Sequence, residues 1–235
     1  MSKYKTILFD IDDTIIDYNK DLAKAFREAM DAIGYDYTEE MLEDYKEIDL
    51  KLWRLFEDKE ITIQEVYIKR FEIFFEKYNI KAKPENFNKL LGIGFQKTGT
   101  PVEGAKEVLE KLSDEYELVI TSNGPKNQQY FRLDNADFSK YFSKVFLSEE
   151  VGYNKPDVKF FDAVFNSIEN KDKSKILIIG DSLSSDIRGG INAGIDTCWF
   201  NMRNKGNTSN IQPTYEIKNL QEVIKLINNE ERVLQ

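Results

Sequence analysis

The side chains best suited to chemistry lie in four short motifs, each close to the end of an apolar run. The first motif is Asp10-Ile11-Asp12-Asp13-Thr14. In an extended segment residues two apart point the same way, so Asp10 and Asp12 can face one crevice. Two carboxylates this close repel each other unless a proton or a cation lies between them. The alternative interpretation is an acidic turn that caps the following helix.

Two further motifs can bind an anion. Thr121-Ser122-Asn123-Gly124 offers a hydroxyl, an amide and a glycine at a strand-to-helix turn, where backbone N–H groups can face an anion. An ordinary helix N-cap is the alternative. In Lys155-Pro156, proline disfavours helix at the preceding residue, so the Lys155 ammonium can reach the crevice from an extended segment. A solvated lysine is the alternative there.

The fourth motif, Gly180–Asp186, again places carboxylates after an apolar run, with a capped loop as the alternative. Right-handed crossovers bring the strand ends to one edge of a sheet. Five carboxylates would then crowd one crevice: Asp10, Asp12, Asp13, Asp181 and Asp186. Such a cluster needs a cation, and Mg²⁺ suits a site that has oxygen ligands only. A metal, two carboxylates and an anion site together suit phosphoryl transfer.

Composition excludes several other chemistries. The chain has no histidine and one cysteine, Cys198, which excludes Ser-His-Asp triads, Cys-rich zinc sites and intrachain disulfides. The net charge of −9 argues against a nucleic-acid polymer or an anionic membrane as partner. No segment approaches the roughly 20 apolar residues of a membrane span. We therefore expect a cytoplasmic protein with a small-molecule substrate, either a monomer or a small homo-oligomer.

The elements that position these motifs alternate along the chain. Short, nearly continuous apolar runs predict strands buried on both faces: Thr6–Phe9, Leu118–Thr121, Val145–Leu147, Lys175–Ile179 and Thr197–Phe200. Helical patterns separate most of them: Val102–Leu112, Lys126–Leu133, Asp157–Ile168, Ser184–Ala193 and Leu220–Ile227. This alternation predicts an α/β fold with a doubly wound parallel sheet.

Residues 18–97 interrupt the alternation and predict a helical insert. Two sets of apolar residues each fall on one helical face: Leu42, Tyr45, Ile48, Leu52 and Leu55, then Ile63, Tyr67, Phe71, Phe74 and Tyr78. Thr62 and Glu65 form a capping-box pattern before the second set, and Pro84 can open a third helix. We therefore predict a core domain of residues 1–17 and 98–235 and an inserted domain of residues 18–97.

The four motifs together resemble the haloacid dehalogenase-like (HAD) hydrolase superfamily. The residues that carry the resemblance are Asp10–Thr14, Ser122, Lys155-Pro156 and the segment from Gly180 to Asp186, in the usual order and spacing. The resemblance extends over the whole chain, including the insert after the first motif. It implies a Rossmann-like core with an inserted, all-helical cap domain.

The resemblance also implies catalytic roles. Asp10 would attack phosphorus and form an aspartyl-phosphate, while Asp12 would protonate the leaving alcohol and later activate water. Ser122 would bind the phosphoryl group with its hydroxyl, helped by the Asn123 backbone, with Thr121 as the alternative hydroxyl. Lys155 would neutralise the nucleophile and the phosphate.

A metal site is implied in the same way. Mg²⁺ would bind the Asp10 carboxylate, the Asp12 backbone carbonyl and the Asp181 carboxylate. Asp186 would act from outside this ligand set, through water or by orienting Lys155. Thr14 would hold the loop in place.

The presence of Asp12 favours a phosphatase over a dehalogenase, because a leaving alcohol needs a proton and a leaving halide does not. A narrower resemblance, over about Val119–Asn201, is to capped members that act as 5′-nucleotidases on pyrimidine nucleoside monophosphates. The alternatives are a sugar-phosphate or phosphoglycolate phosphatase, a phosphomutase, and a non-catalytic binding or regulatory protein. An aromatic ring of the cap could stack on a nucleobase, although such rings can equally pack the cap's own core. Candidates for either role include Tyr18, Tyr45, Trp53 and Phe56.

Overall fold

The computed structural model describes residues 3–228. The strands are β1 (Thr6–Phe9), β2 (Glu117–Ser122), β3 (Lys144–Leu147), β4 (Ile176–Gly180), β5 (Asp196–Phe200) and β6 (Tyr215–Ile217). The helices are α1 (Tyr18–Ala32), α2 (Glu39–Glu57), α3 (Ile63–Tyr78), α4 (Pro84–Phe95), α5 (Ala105–Ser113), α6 (Lys126–Asn135), α7 (Ser148–Val151), α8 (Val158–Ser167), α9 (Arg188–Ala193) and α10 (Glu222–Ile227).

The chain divides into two compact units. Tyr18–Gly99 form one, and the described residues up to Asp17 and from Thr100 onward form the other. The larger unit is closed where the smaller one leaves it, because the Asp17 amide donates to the Thr100 carbonyl at 2.8 Å. An antiparallel bridge between Ile16 and Pro101 continues this closure. The smaller unit ends at Gly99, two residues beyond the predicted end of the insert at residue 97.

The larger unit contains a six-stranded sheet in the order β3-β2-β1-β4-β5-β6, with every pair of neighbours parallel. Every residue of β1 and β4 is buried, because helices cover both faces of the sheet. Ile7 and Phe9 pack in a cluster with α5, α6 and α10, whereas Leu8 packs in a second cluster with α8 and α9. The predicted α/β fold with a doubly wound parallel sheet is therefore confirmed.

The smaller unit consists of α1–α4, built around aromatic side chains. Thr62 and Glu65 form both bonds of the capping box at the start of α3, and Pro84 is the first residue of α4. Helices α1 and α4 approach closely at Gly94, where an added Cβ would lie 2.7 Å from the Ala25 Cβ. Tyr45 is fully buried in this core.

Four elements differ from the sequence prediction, and one of them is the short helix α7, which was not predicted. Helix α1 was not predicted as a separate element, and strand β6 was missed because it has three residues with exposed Glu216 at its centre. The single helix predicted for Ser184–Ala193 is instead a π-helical turn, Leu183–Ile187, followed by α9. The turn carries Asp186. Within residues 3–228, no helix is long and apolar enough to cross a membrane.

Candidate active site

The sheet register brings the predicted motifs to one edge. Phe9 at the end of β1 pairs with Ile120 of β2 on one side and Ile179 of β4 on the other. Asp10 continues this line, and its amide donates to the Ile179 carbonyl at 3.0 Å. The residues that follow three adjacent strands therefore meet at the carboxyl ends, where open α/β sheets place their ligands.

Lys155 lies at the centre of this edge, with its side chain 1% exposed. Its Nζ donates to Asp10 Oδ1 at 2.8 Å, to Asp186 Oδ1 at 2.6 Å and to the Thr121 carbonyl at 2.6 Å. Burial acts to lower the pKa of Lys155, but the Asp10 and Asp186 carboxylates outweigh it and raise that pKa above its usual value. Lys155 is therefore a buried ammonium with three acceptors.

Asn123 fixes the backbone from which Lys155 extends. The Asn123 side-chain amide donates to the Lys155 carbonyl at 2.9 Å, and the Lys155 amide donates to Asn123 Oδ1 at 2.9 Å. The Lys155-Pro156 peptide is cis, and Asp157 caps α8 directly afterwards. The loop after β2 and the segment before α8 are thus joined by a reciprocal pair of hydrogen bonds.

Carboxylate oxygens of Asp10, Asp181 and Asp186 all lie within 4.8 Å of one another. Burial raises the pKa of Asp10 to about 7, with smaller contributions from the Asp186 and Asp12 charges, while Lys155 opposes the rise. Burial also raises the pKa of Asp181 well above its usual value, and neighbouring carboxylates add to the effect. The cluster consists of hard oxygen donors with excess negative charge, which fits Mg²⁺.

Asp186 and Asp10 also have contacts that orient them. Asp186 Oδ2 accepts the Ser182 amide at 3.1 Å, so both of its oxygens are engaged within the protein. The Thr14 hydroxyl donates to Asp10 Oδ2 at 3.2 Å. Gly180 allows the approach of Asp186, because a Cβ at position 180 would lie 2.3 Å from the Asp186 carboxyl carbon.

The two hydroxyls considered for phosphoryl binding face different surroundings. Ser122 Oγ accepts the Gly124 amide at 3.0 Å and the Gln129 side-chain amide at 3.1 Å. The Thr121 hydroxyl instead lies 3.5 Å from the Phe9 carbonyl, against β1. Although both residues end β2, the Ser122 hydroxyl contacts the loop that precedes α6 and α6 itself, and the Thr121 hydroxyl faces β1.

Asp12 is held by two side chains that sequence reasoning missed. Its Oδ1 pairs with Arg132 Nη1, and its Oδ2 accepts Gln129 Nε2 at 2.5 Å. Both partners are buried on the inner face of α6. The sequence did contain a signal for them. Gln129 and Arg132 are three positions apart and so share a helical face, and Leu133 marks that face as the buried one.

The loop after β5 supplies a further pair of missed residues. Arg203 Nη2 donates to Asp13 Oδ2 at 2.9 Å, and Asp13 itself has a left-handed backbone with φ 55°. Asp13, Asp181, Arg203 and Lys205 are among the residues that line a small cleft. Lys205 opposes the rise in the Asp181 pKa. Five acidic side chains therefore gather at this edge, as the motif spacing predicts, but their cationic partners come from three separate segments.

Comparisons with known proteins agree with this arrangement. A profile of the family described as haloacid dehalogenase-like hydrolase matches residues 7–200. HAD-hydrolase YfnB of Bacillus subtilis is 37% identical over 237 residues, which cover 99% of each chain. Pyrimidine 5′-nucleotidase YjjG of Escherichia coli is 31% identical over 96% of this chain and 98% of its own. Pyrimidine 5′-nucleotidase PynA of Streptococcus pneumoniae is 31% identical over 96% of this chain and 95% of its own.

The fold is also similar to a solved structure. The crystal structure of YfnB bound to magnesium superposes with a TM-score of 0.93 at 36% identity, covering 96% of this chain and 99% of that one. Sequence and structure therefore identify the same group of relatives.

Proposed function

The chain belongs to the haloacid dehalogenase-like hydrolase family, and from that premise we propose that it is a Mg²⁺-dependent phosphomonoesterase acting through Asp10. The observation that carries the proposal is the contact of Asp10 with the buried Lys155 ammonium, with Asp12 two residues farther along the chain. A carboxylate nucleophile, an adjacent ammonium and a second carboxylate are groups that can together cleave a phosphate ester.

In the first step an Asp10 oxygen attacks phosphorus, and the bond from phosphorus to the ester oxygen breaks. Asp12 gives its proton to the departing alkoxide, which leaves as an alcohol. Lys155 opposes the effect of burial and favours the carboxylate form of Asp10 that can attack. The product of this step is an aspartyl-phosphate on Asp10.

In the second step water attacks phosphorus, and the bond from phosphorus to Asp10 breaks. Asp12, now a carboxylate, accepts the proton of that water, so each group returns to its starting state. Ser122, Asn123 and Lys155 would bind the phosphoryl oxygens in both steps. Bound to the Asp10 and Asp181 carboxylates and the Asp12 carbonyl, Mg²⁺ would neutralise negative charge at the phosphoryl group. Asp186 would orient Lys155, and Thr14 would hold Asp10.

We propose a pyrimidine nucleoside 5′-monophosphate as the substrate. The support comes from two relatives, YjjG and PynA, that carry this activity and align over nearly the whole chain. Among the cap aromatics, Tyr45 packs on Phe71 inside the helical core, whereas Trp53 and Phe56 form an edge-to-face pair that stays partly exposed. The rings of this pair are therefore partly accessible, and the Tyr45 ring is not.

The test is phosphate release from a panel of phosphomonoesters, with Mg²⁺ and with EDTA. The panel contains dUMP, dTMP, UMP, purine monophosphates, sugar phosphates and phosphoglycolate. We expect Mg²⁺-dependent release with the highest kcat/KM for a pyrimidine monophosphate. Activity on sugar phosphates alone would leave the mechanism in place and overturn the substrate. Absence of free phosphate with every ester would overturn the phosphatase proposal.

A further inference from the structure

The Asp12 carboxylate is bound on both oxygens by two side chains of α6. Arg132 Nη1 pairs with Oδ1, and Gln129 Nε2 donates to Oδ2 at 2.5 Å. The two donors also contact each other, since Arg132 Nη1 lies 3.2 Å from Gln129 Oε1. Charge-assisted contacts of this kind restrict a carboxylate more strongly than neutral hydrogen bonds do.

The exposure of the two side chains differs between Arg132 and Asp12. The Arg132 side chain is 2% exposed, whereas the Asp12 side chain is 31% exposed. A buried guanidinium is costly unless it is paired, so Arg132 is committed to its contacts inside the protein. The Asp12 carboxylate is therefore held by buried side chains and is at the same time partly exposed to solvent.

Gly124 provides an independent observation. A Cβ at position 124 would lie 1.8 Å from Gln129 Nε2 and 2.7 Å from its amide carbon. The Gln129 amide passes through the space that any larger residue at 124 would occupy. From there it reaches both Asp12 and Ser122 Oγ, the latter at 3.1 Å. The loop after β2 is thus shaped to admit this amide.

We propose that Gln129 and Arg132 are positioning residues that aim Asp12 at the leaving-group oxygen. The inference rests on the proposed phosphomonoesterase activity. Gln129 also links Asp12, which handles the leaving group, to Ser122, which handles the phosphoryl group. A general acid contributes only when it lies within hydrogen-bond reach of the atom that receives the proton. Loss of either side chain therefore frees Asp12 to turn away from that atom.

This role makes a prediction that depends on the leaving group. An alkoxide must be protonated as it departs, whereas p-nitrophenolate is stable enough to leave without a proton. The ratio kcat/KM reports the steps up to formation of the aspartyl-phosphate, before Asp12 acts as a base on water. A misplaced Asp12 should therefore lower kcat/KM for an alkyl phosphomonoester and spare kcat/KM for p-nitrophenyl phosphate.

The experiment compares these two substrate types in the Gln129→Met, Arg132→Lys and Gly124→Ala variants. Gln128→Met, on the same helix, and Gly206→Ala, where an added Cβ meets nothing within 4 Å, are the matched controls. We expect kcat/KM for the best alkyl substrate of the wild type to fall by about 10–100-fold in the three variants. For p-nitrophenyl phosphate we expect a loss at least about threefold smaller than that for the alkyl substrate. Gln129 and Gly124 also contact Ser122, so part of the loss in their variants is shared by both substrates. The controls should match the wild type with both substrates.

The outcomes separate the inference from the proposed function. Equal losses with both substrates would indicate a structural role and overturn the inference, as would unchanged activity in Gln129→Met. Gln129→Met leaves the buried pair of Arg132 and Asp12 in place, so it remains informative if Arg132→Lys fails to fold. Thermal unfolding of each variant identifies that case. A wild type that hydrolyses neither substrate would overturn the proposed function itself.

Discussion

Lys155 Nζ lies 2.6 Å from Asp186 Oδ1, and both side chains are 1% exposed. A buried ion pair carries a large desolvation cost that its own attraction offsets only when both partners are present. Lys155 also contacts Asp10, so one ammonium compensates two buried carboxylates. The stability of the sheet edge and the proposed chemistry therefore depend on the same side chain.

Removing this ammonium should destabilise the protein. Lys155→Met leaves Asp10 and Asp186 buried without their cation, and we expect the free energy of unfolding to fall by about 3–5 kcal/mol. Urea unfolding measures the change. Lys46→Met is the control, because Lys46 pairs with Glu43 at the surface and its removal should cost under about 1 kcal/mol. Equal losses in the two variants would contradict the role assigned to burial.

Replacing the proposed nucleophile should abolish turnover. Asp10→Asn keeps the shape of the side chain but removes the attacking oxygen's charge, and we expect phosphate release to fall by at least about 10³-fold. Asp172→Asn, a change at an exposed carboxylate, should leave turnover unchanged. Normal activity in Asp10→Asn would exclude an aspartyl-phosphate at this position.

The metal-free protein should lose stability through Asp10 as the pH rises. Burial raises the pKa of Asp10 to about 7, so the folded protein retains this proton at a pH where the unfolded chain has released it. The stabilising contribution is complete below the unfolded pKa of about 4 and is lost as the pH rises through 7. We expect the thermal midpoint of the wild type to fall relative to Asp10→Asn between pH 5 and pH 8.

Mg²⁺ should reverse this trend in the wild type. A cation at the cluster favours ionised carboxylates, so the rise in thermal midpoint on adding Mg²⁺ should be larger at pH 8 than at pH 5. A parallel pH profile for the wild type and Asp10→Asn in EDTA would contradict the first expectation. An equal effect of Mg²⁺ at both pH values would contradict the second.

Adding a single methyl group at Gly180 tests whether Asp186 orients Lys155, because Gly180 lies close to the Asp186 carboxylate. In Gly180→Ala the new Cβ would lie 2.3 Å from the Asp186 carboxyl carbon, so the carboxylate must move. We expect kcat to fall by about 10–100-fold, because Lys155 loses the partner that orients it. Wild-type turnover in this variant would show that Asp186 is not needed to orient Lys155.

Much of the fold could be predicted because its signals are local. The buried strands β1 and β4 each read as a continuous apolar run, and the carboxylates of Asp10 and Asp181 follow directly after them. The positions of these carboxylates could therefore be predicted, because the carboxyl ends of parallel strands meet at one edge of the sheet. The resemblance to the HAD hydrolases, carried by the same residues, is confirmed by the family match.

The cationic half of the site depends on contacts that the sequence does not show. Lys155 was predicted to reach the crevice, and the resemblance implied its role beside Asp10, but its near-complete burial against two carboxylates is seen only in the assembled edge. Arg132 lies 120 residues from Asp12 along the chain, and the residues around Arg132 do not indicate that it pairs with Asp12. Strand β6 escaped prediction because an edge strand of three residues has no continuous apolar run.

The hydrogen bond between the Asp17 amide and the Thr100 carbonyl closes the larger unit where the smaller one departs. The 82 residues of Tyr18–Gly99 therefore begin and end at neighbouring points of the sheet-bearing unit. An insert connected in this way can be lengthened, replaced or excised without altering the pairing of a single strand. The helical unit is in this sense a separable module, whose sequence can diverge while the strand order that positions the acidic residues stays unchanged.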